Sequence, residues 1–177
     1  MQQEDTDGDF IGDACDQCTD TDNDGYGNSE FVLNSCPHDN CPNDYDNDFD
    51  ADSICGDIDN CPNQPNGQTL GTCAKVAGGV VVGTGKTCYS YDDCDELEYC
   101  EMSQGDINSN GIGDACECYA DCDCNTKVNL SDLVIMKGEF LQSCPCQADC
   151  NGDNQVNLGD LVIMKTQFLR SDCPSCP

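Results

Sequence analysis

At 177 residues, with 35 Asp and Glu against 6 Lys and Arg, the chain carries a formal charge of -29 and repels itself at neutral pH unless cations collect on it. Its basic residues, Lys75, Lys86, Lys127, Lys137, Lys165 and Arg170, are scattered, so nucleic acid and anionic membrane surfaces, which need a basic face, are excluded as main partners. Nineteen cysteines, no Trp, five Phe and six Tyr exclude one large apolar core and point to small units stapled by disulfides in an oxidising compartment, with no apolar run long enough for membrane insertion.

Residues 1–65 are dominated by aspartates at alternate positions. Asp5, Asp7, Asp9, Asp13 and Asp16 take the first, third, fifth, ninth and twelfth places of a twelve-residue window, with the carbonyl of Ile11 at the seventh. This spacing turns oxygens inward onto Ca²⁺, which takes roughly six to eight of them. A second run offers Asp20, Asp22, Asp24, the carbonyl of Tyr26 and Asn28, but Phe31 stands at its twelfth place and its closing ligand stays open. A third uses Asp48, Asp50, Asp52, Asp57 and Asp59 around a one-residue insertion at Cys55, and Asp44 and Asp46 just upstream could serve another ion. A lone acidic run is ordinarily a solvated face; several in register with Gly and Cys argue for ligands. Carboxylates this dense repel by about 1 to 4 kcal/mol per close pair near a surface, which couples metal to fold.

The string DTDGDFIGDACD, with alternating Asp, a Gly-Asp pair and Cys, together with Asn40-Cys41-Pro42 and Asn60-Cys61-Pro62, resembles the thrombospondin type 3 repeat family. The resemblance covers roughly residues 1–65 and 100–117. It implies chain wrapped around a calcium array, little regular secondary structure, and disulfides between cysteines near in sequence.

Residues 66–99 change to Gly and Val with Cys73, Cys88 and Cys94, and read as a small β-rich insert. The GVVVGTGK stretch lacks the GxxxxGK[ST] spacing and a following helix, so it is no phosphate loop. Residues 100–117 return to the acidic pattern: Met102 to Cys116 aligns without gaps on Met1 to Cys15 at an offset of 101. The ligand places become Asp106, Asn108, Asn110, the carbonyl of Ile112, Asp114 and Glu117, with fewer charges and weaker expected affinity. Cys100 precedes this copy by two residues, and its counterpart would fall before residue 1. The odd cysteine count therefore suggests a piece of a longer protein; the alternative is a bridge from Cys15 to a neighbouring copy through Cys173 or Cys176.

Residues 118–177 hold a second repeat, Asp121 to Leu141 aligning on Asp149 to Leu169 at an offset of 28. The first loop offers Asp121, Asp123, Asn125, the carbonyl of Lys127, Asn129 and Asp132; the second offers Asp149, Asn151, Asp153, the carbonyl of Gln155, Asn157 and Asp160. Behind them Leu133, Met136, Phe140 and Leu141, and in parallel Leu161, Met164, Phe168 and Leu169, recur at helical spacing, so two apolar faces are expected to pack about a pseudo-two-fold axis. These loop-helix units, closed by Asp132 and Asp160 rather than Glu, closely resemble a dockerin module over residues 121–169. The resemblance implies two calcium ions and docking to a cohesin partner. Thr126 and Asn154 stand where Gly is expected at the sixth place, and the cysteines 116, 118, 122, 124, 144, 146, 150, 173 and 176 suggest stapling to the preceding repeat.

The expected fold class is thus mostly irregular calcium- and disulfide-stabilised repeats with a small β-rich insert and a C-terminal α-helical, EF-hand-like dockerin pair. Zinc is the rival use of the cysteines, but their spacing is irregular and His38 is the one imidazole. No nucleophile-base pair suggests catalysis. Two functions are expected. One is an extracellular, secreted or cell-surface structural protein that self-associates into a calcium-rigidified filament, sheath or adhesive stalk. The other is the distal part of a secreted protein whose dockerin-like module binds a cohesin-like partner.

Overall fold

Aspartate, asparagine and glycine at alternate positions favour turns over ladders, and regular structure accordingly occupies little of the chain. The computed structural model describes residues 4–143 and 146–174. In the first part, β1 (Gly27–Asn28) and β2 (His38–Asp39) make a two-residue parallel bridge that sets Asn28 opposite Asp39. Next come β3 (Gly71–Ala77), β4 (Val80–Cys88) and β5 (Tyr99–Glu101), an antiparallel sheet in the order β4-β3-β5. Valines 76 and 80 to 82 suit a pleated surface, and Gly78-Gly79, at φ +59° and +101°, supply the left-handed pair that a two-residue hairpin turn demands.

Helices α1 (Leu130–Glu139) and α2 (Leu158–Gln167) are capped in the same way. The side chains of Asn129 and Asn157 accept from the amides of Ser131 and Gly159 at 2.9 and 2.8 Å, while Asp132 and Asp160 accept from the cap residues' own amides at 2.8 Å. These reciprocal boxes satisfy amides that a helix start leaves open. Each repeat then closes on the other. Leu141 and Val156 share a bond across the repeats at 2.8 Å, as do Leu169 and Val128, again at 2.8 Å. The core follows the 28-residue offset: Ala120 and Ala148, Cys122 and Cys150, Val128 and Val156, Met136 and Met164 are buried together.

One expectation about the helices is corrected. Leu141 and Leu169 lie beyond the helix ends with φ +68° and +74° and are 80% and 76% exposed, so they leave the apolar face. The buried role falls to Met136, Met164 and Ile163, with Leu133, Phe140 and Phe168 packed at the margin. The β insert joins this core through Ala77 and Val82. A Cβ on Gly78 would lie 2.5 Å from the carbonyl of Gly159 and 2.8 Å from Ile163, which measures how closely the hairpin turn seats on α2.

Six disulfides are described: Cys18–Cys36, Cys41–Cys55, Cys61–Cys116, Cys73–Cys94, Cys88–Cys100 and Cys118–Cys173. Cys61–Cys116 fastens the first acidic segment to the later repeat over 55 residues, and Cys118–Cys173 closes the C-terminal pair on itself. Cys124 and Cys146 are also disulfide-bonded, and Cys144 and Cys176 lie outside the described residues. Cys15 is a free, exposed thiol and Cys173 is taken by Cys118, so a bridge from Cys15 to Cys173 is not the arrangement found.

Candidate metal centres

The acidic windows share one backbone form. In the loops beginning at Asp5, Asp20, Asp48, Asp106, Asp121 and Asp149, the fourth residue has positive φ: Gly8, Asn23, Ala51, Ser109, Cys124 and Gly152. So does the sixth: Phe10, Gly25, Ser53, Gly111, Thr126 and Asn154. The opening aspartate holds this curl, both of its oxygens accepting main-chain amides within the loop, as Asp20 does from Asn23 and Gly25, both at 2.8 Å, and Asp149 from Asp153 and Asn154 at 3.1 and 2.8 Å. The fifth-place side chain then accepts from the seventh amide, at 2.6 Å for Ile11, 2.7 Å for Tyr26 and 2.8 Å for Ile54, Ile112 and Gln155.

That curl gathers carboxylates. One oxygen each from Asp5, Asp7 and Asp9 lies within 4.8 Å of the others, and the same holds for Asp20, Asp22 and Asp24, for Asp48, Asp50 and Asp52, and for Asp121, Asp123 and Asp132. Other candidates have protein partners. Asp13 accepts from Thr6 through both oxygens, at 2.8 Å each, and Asn28 accepts from Thr21 at 3.1 Å. Asp132 is fully buried and also accepts from the amides of Cys122 and Asp123, tying the loop's start to the helix it precedes. Asn125 donates to Ser131, and Asn151 donates to the carbonyl of Gly78 at 2.8 Å. The Lys127 and Gln155 carbonyls face the side-chain amides of Asn129 and Asn157. Asp46 and Asp57 are exposed and outside these clusters.

A residue the spacing did not single out lies near the second window. Asp39 arrives on β2, 1% exposed, and its charge acts on Asp22. Its Oδ1 accepts from the amide of Cys41 at 2.7 Å. Asp59 repeats this toward Cys61 at 2.8 Å and Asp16 toward Cys18 at 2.9 Å. Each belongs to an Asp-x-Cys triplet, and in all three the other oxygen, Oδ2, is buried with no hydrogen-bond partner. The same is true of Oδ2 of Asp22 and Asp44 and of both oxygens of Asp50. A buried, unpaired polar atom costs about 1 to 3 kcal/mol, and a charged one more. Burial, then the charges of Asp52 and Asp59, push the Asp50 carboxyl up to about 7.

The fourth window is less charged. Glu117, 4% exposed, accepts from Asn108 and Asn110 at 2.7 Å each and from the Tyr119 hydroxyl. Burial raises Asp114, with Glu101 and Asp106 adding to the shift, so Glu101, which sequence spacing missed, belongs to this group. Cys73, Cys88 and Cys94 also cluster, but each is already in a disulfide, which leaves an all-oxygen donor set at the acidic loops. Such a set fits a hard divalent cation rather than zinc or copper.

No family model, characterised protein or solved structure matches the chain. The reading of the loops therefore rests on their own geometry.

Proposed function

We propose that this is an extracellular calcium-binding structural protein, in which Ca²⁺ ions held in the acidic loops supplement a small hydrophobic core. The observation that carries the reading is the set of buried, unpartnered carboxylate oxygens on Asp16, Asp22, Asp39, Asp44, Asp50 and Asp59. Calcium supplies what they want: a hard cation, tolerant of irregular geometry, taking roughly six to eight oxygens. The disulfides suit an oxidising environment, and among the described residues no helix is long and apolar enough to cross a membrane. In the structural reading, the calcium-loaded chain is a rigid subunit or stalk of a secreted or cell-surface filament, sheath or adhesin.

A second reading is favoured by the helices. Leu130, Val134 and Leu158 are each 69% exposed, beside an apolar groove lined by Leu133, Leu161, Met164 and Phe168. With the resemblance to dockerins, that surface would dock a cohesin-like protein. Native mass spectrometry in millimolar calcium tests the shared premise, with several bound ions expected, removable by chelator together with protease resistance. A metal-free spectrum and unchanged resistance in chelator would overturn it. Ordered polymers by electron microscopy then favour the subunit, whereas a monomer that captures a cohesin favours the module.

A further inference from the structure

Cys122 and Cys150 are buried and unbonded, each 5% exposed in a core otherwise built of aliphatic side chains and half-cystines. They are equivalent, separated by the repeat offset of 28 residues, and each is the second residue of its loop, directly after Asp121 or Asp149. Each thiol lies 3.4 Å from the carbonyl two residues before it, Ala120 or Ala148. The two cysteines lie in the same buried cluster, near enough for the Cys122 thiol to act on that of Cys150. Two equivalent residues of a duplicated unit can touch only where the pseudo-two-fold axis passes between them. The duplication has therefore placed one sulfur from each loop beside that axis, in one cluster shielded from water.

We propose that Cys122 and Cys150 form a disulfide across the pseudo-two-fold axis, a further cross-link that binds the two C-terminal loops at their second positions. Each thiol loses a proton, the sulfurs join, and the two electrons released pass to an oxidised disulfide of the folding compartment, which is reduced to two thiols. The exchange runs through a mixed disulfide on one cysteine, resolved by the other, while the chain is still open enough for the oxidant to enter. After closure the bond is shielded from soluble reductants. None of this depends on calcium.

The test is differential alkylation of the full chain refolded in a glutathione redox buffer, with mass-spectrometric readout. Thiols free under denaturing, non-reducing conditions receive a first label, and those released by reduction receive a second. Cys15 is expected to carry the first label, Cys122 and Cys150 the second. In Cys150→Ser, Cys122 should switch to the first label, and in Cys122→Ser, Cys150 should do the same. First label on both residues in the unmutated protein overturns the proposal, as does Cys122 keeping the second label in Cys150→Ser. Should the variants fail to fold, electron-transfer fragmentation of non-reduced peptides from the unmutated chain decides the matter: a 122–150 linkage supports it, and any other partner for either sulfur overturns it.

Discussion

At the residue scale, three aspartates do the same thing in three places. Asp16, Asp39 and Asp59 each use one oxygen to hold the amide of a cysteine two residues on, while the other oxygen is buried without a partner. All three cysteines are disulfide-bonded, Cys18 to Cys36, Cys41 to Cys55 and Cys61 to Cys116, so the staple fixes the carboxylate where the preceding loop opens. Asp39→Asn tests this role with a sign reversal. The amide keeps the bond to Cys41 but removes charge from the group around Asp22, so the metal-free protein should gain about 1 to 2 kcal/mol. The calcium-loaded protein should bind one ion fewer in native mass spectrometry and melt lower than the unmutated chain. Equal loss of stability in both states would show that Asp39 is only a structural acceptor. Asp57→Asn, at an exposed position, is the control and should change neither the ion count nor stability by more than about 0.5 kcal/mol.

At the scale of elements, the unit is a curl with left-handed residues at its fourth and sixth places. Thr126 adopts φ +67° although it is β-branched and exposed, which is a costly way to make the turn. Thr126→Gly should stabilise the C-terminal pair by about 0.5 to 1 kcal/mol, read as a higher denaturation midpoint at unchanged slope. Gly78→Ala acts oppositely. Its Cβ would meet the Gly159 carbonyl and Ile163 at a left-handed residue, and overpacking of about 1 to 3 kcal/mol should part the hairpin from α2, exposing amides of Ala77 to Val82 to hydrogen exchange. Much of this level was legible from the sequence. Regular spacing of Asp and Asn marked the loops, and paired Leu, Met and Phe marked the helices. What stayed hidden depended on contacts distant in the chain. Asp39 reaches the second loop only through the β1–β2 bridge, and Glu101 reaches Asp114 only because the sheet ends beside the fourth loop. Leu141 and Leu169 matched the helical period, yet each follows the residue that ends its helix, where periodicity carries no information about exposure. The Asp-x-Cys triplets ending at Cys18, Cys41 and Cys61 were the unused signal.

At the scale of the whole molecule, one of the contacts that bind the parts together is made by the chain's sole arginine. Arg170, 8% exposed, donates to Gln64 at 2.6 Å, to the carbonyl of Glu117 at 3.2 Å and to Asp172 at 3.2 Å, joining the first acidic segment, the later repeat and the C-terminus. Arg170→Ala should cost about 1 to 3 kcal/mol, chiefly by leaving the buried Gln64 oxygen without its donor, while the Glu117 carbonyl keeps its bond from Gln167 at 2.6 Å, measured by chemical denaturation in calcium. The remaining cohesion is a contest between carboxylate repulsion and metal, and pH separates the two. Burial raises Asp22, Asp50, Asp59, Asp114, Glu117 and Asp121 above their ordinary values, Asp50 from 3.8 to about 7. Without metal, the folded chain therefore holds more protons than the unfolded chain between about pH 4 and 7, and linkage makes its stability fall as pH rises through that window. Calcium takes the same oxygens only once the protons leave, so its contribution grows over the same range. At ten times the dissociation constant each occupied loop adds about 1.4 kcal/mol, and extracellular loops of about 10⁻⁴ M reach that level in about 1 mM calcium. Melting curves from pH 5 to 7.5 should thus diverge, the chelated protein losing stability while the calcium-loaded protein holds or gains it. Parallel curves, or a chelated protein that becomes more stable toward neutral pH, would show that these carboxylates neither repel one another in the fold nor wait for a cation.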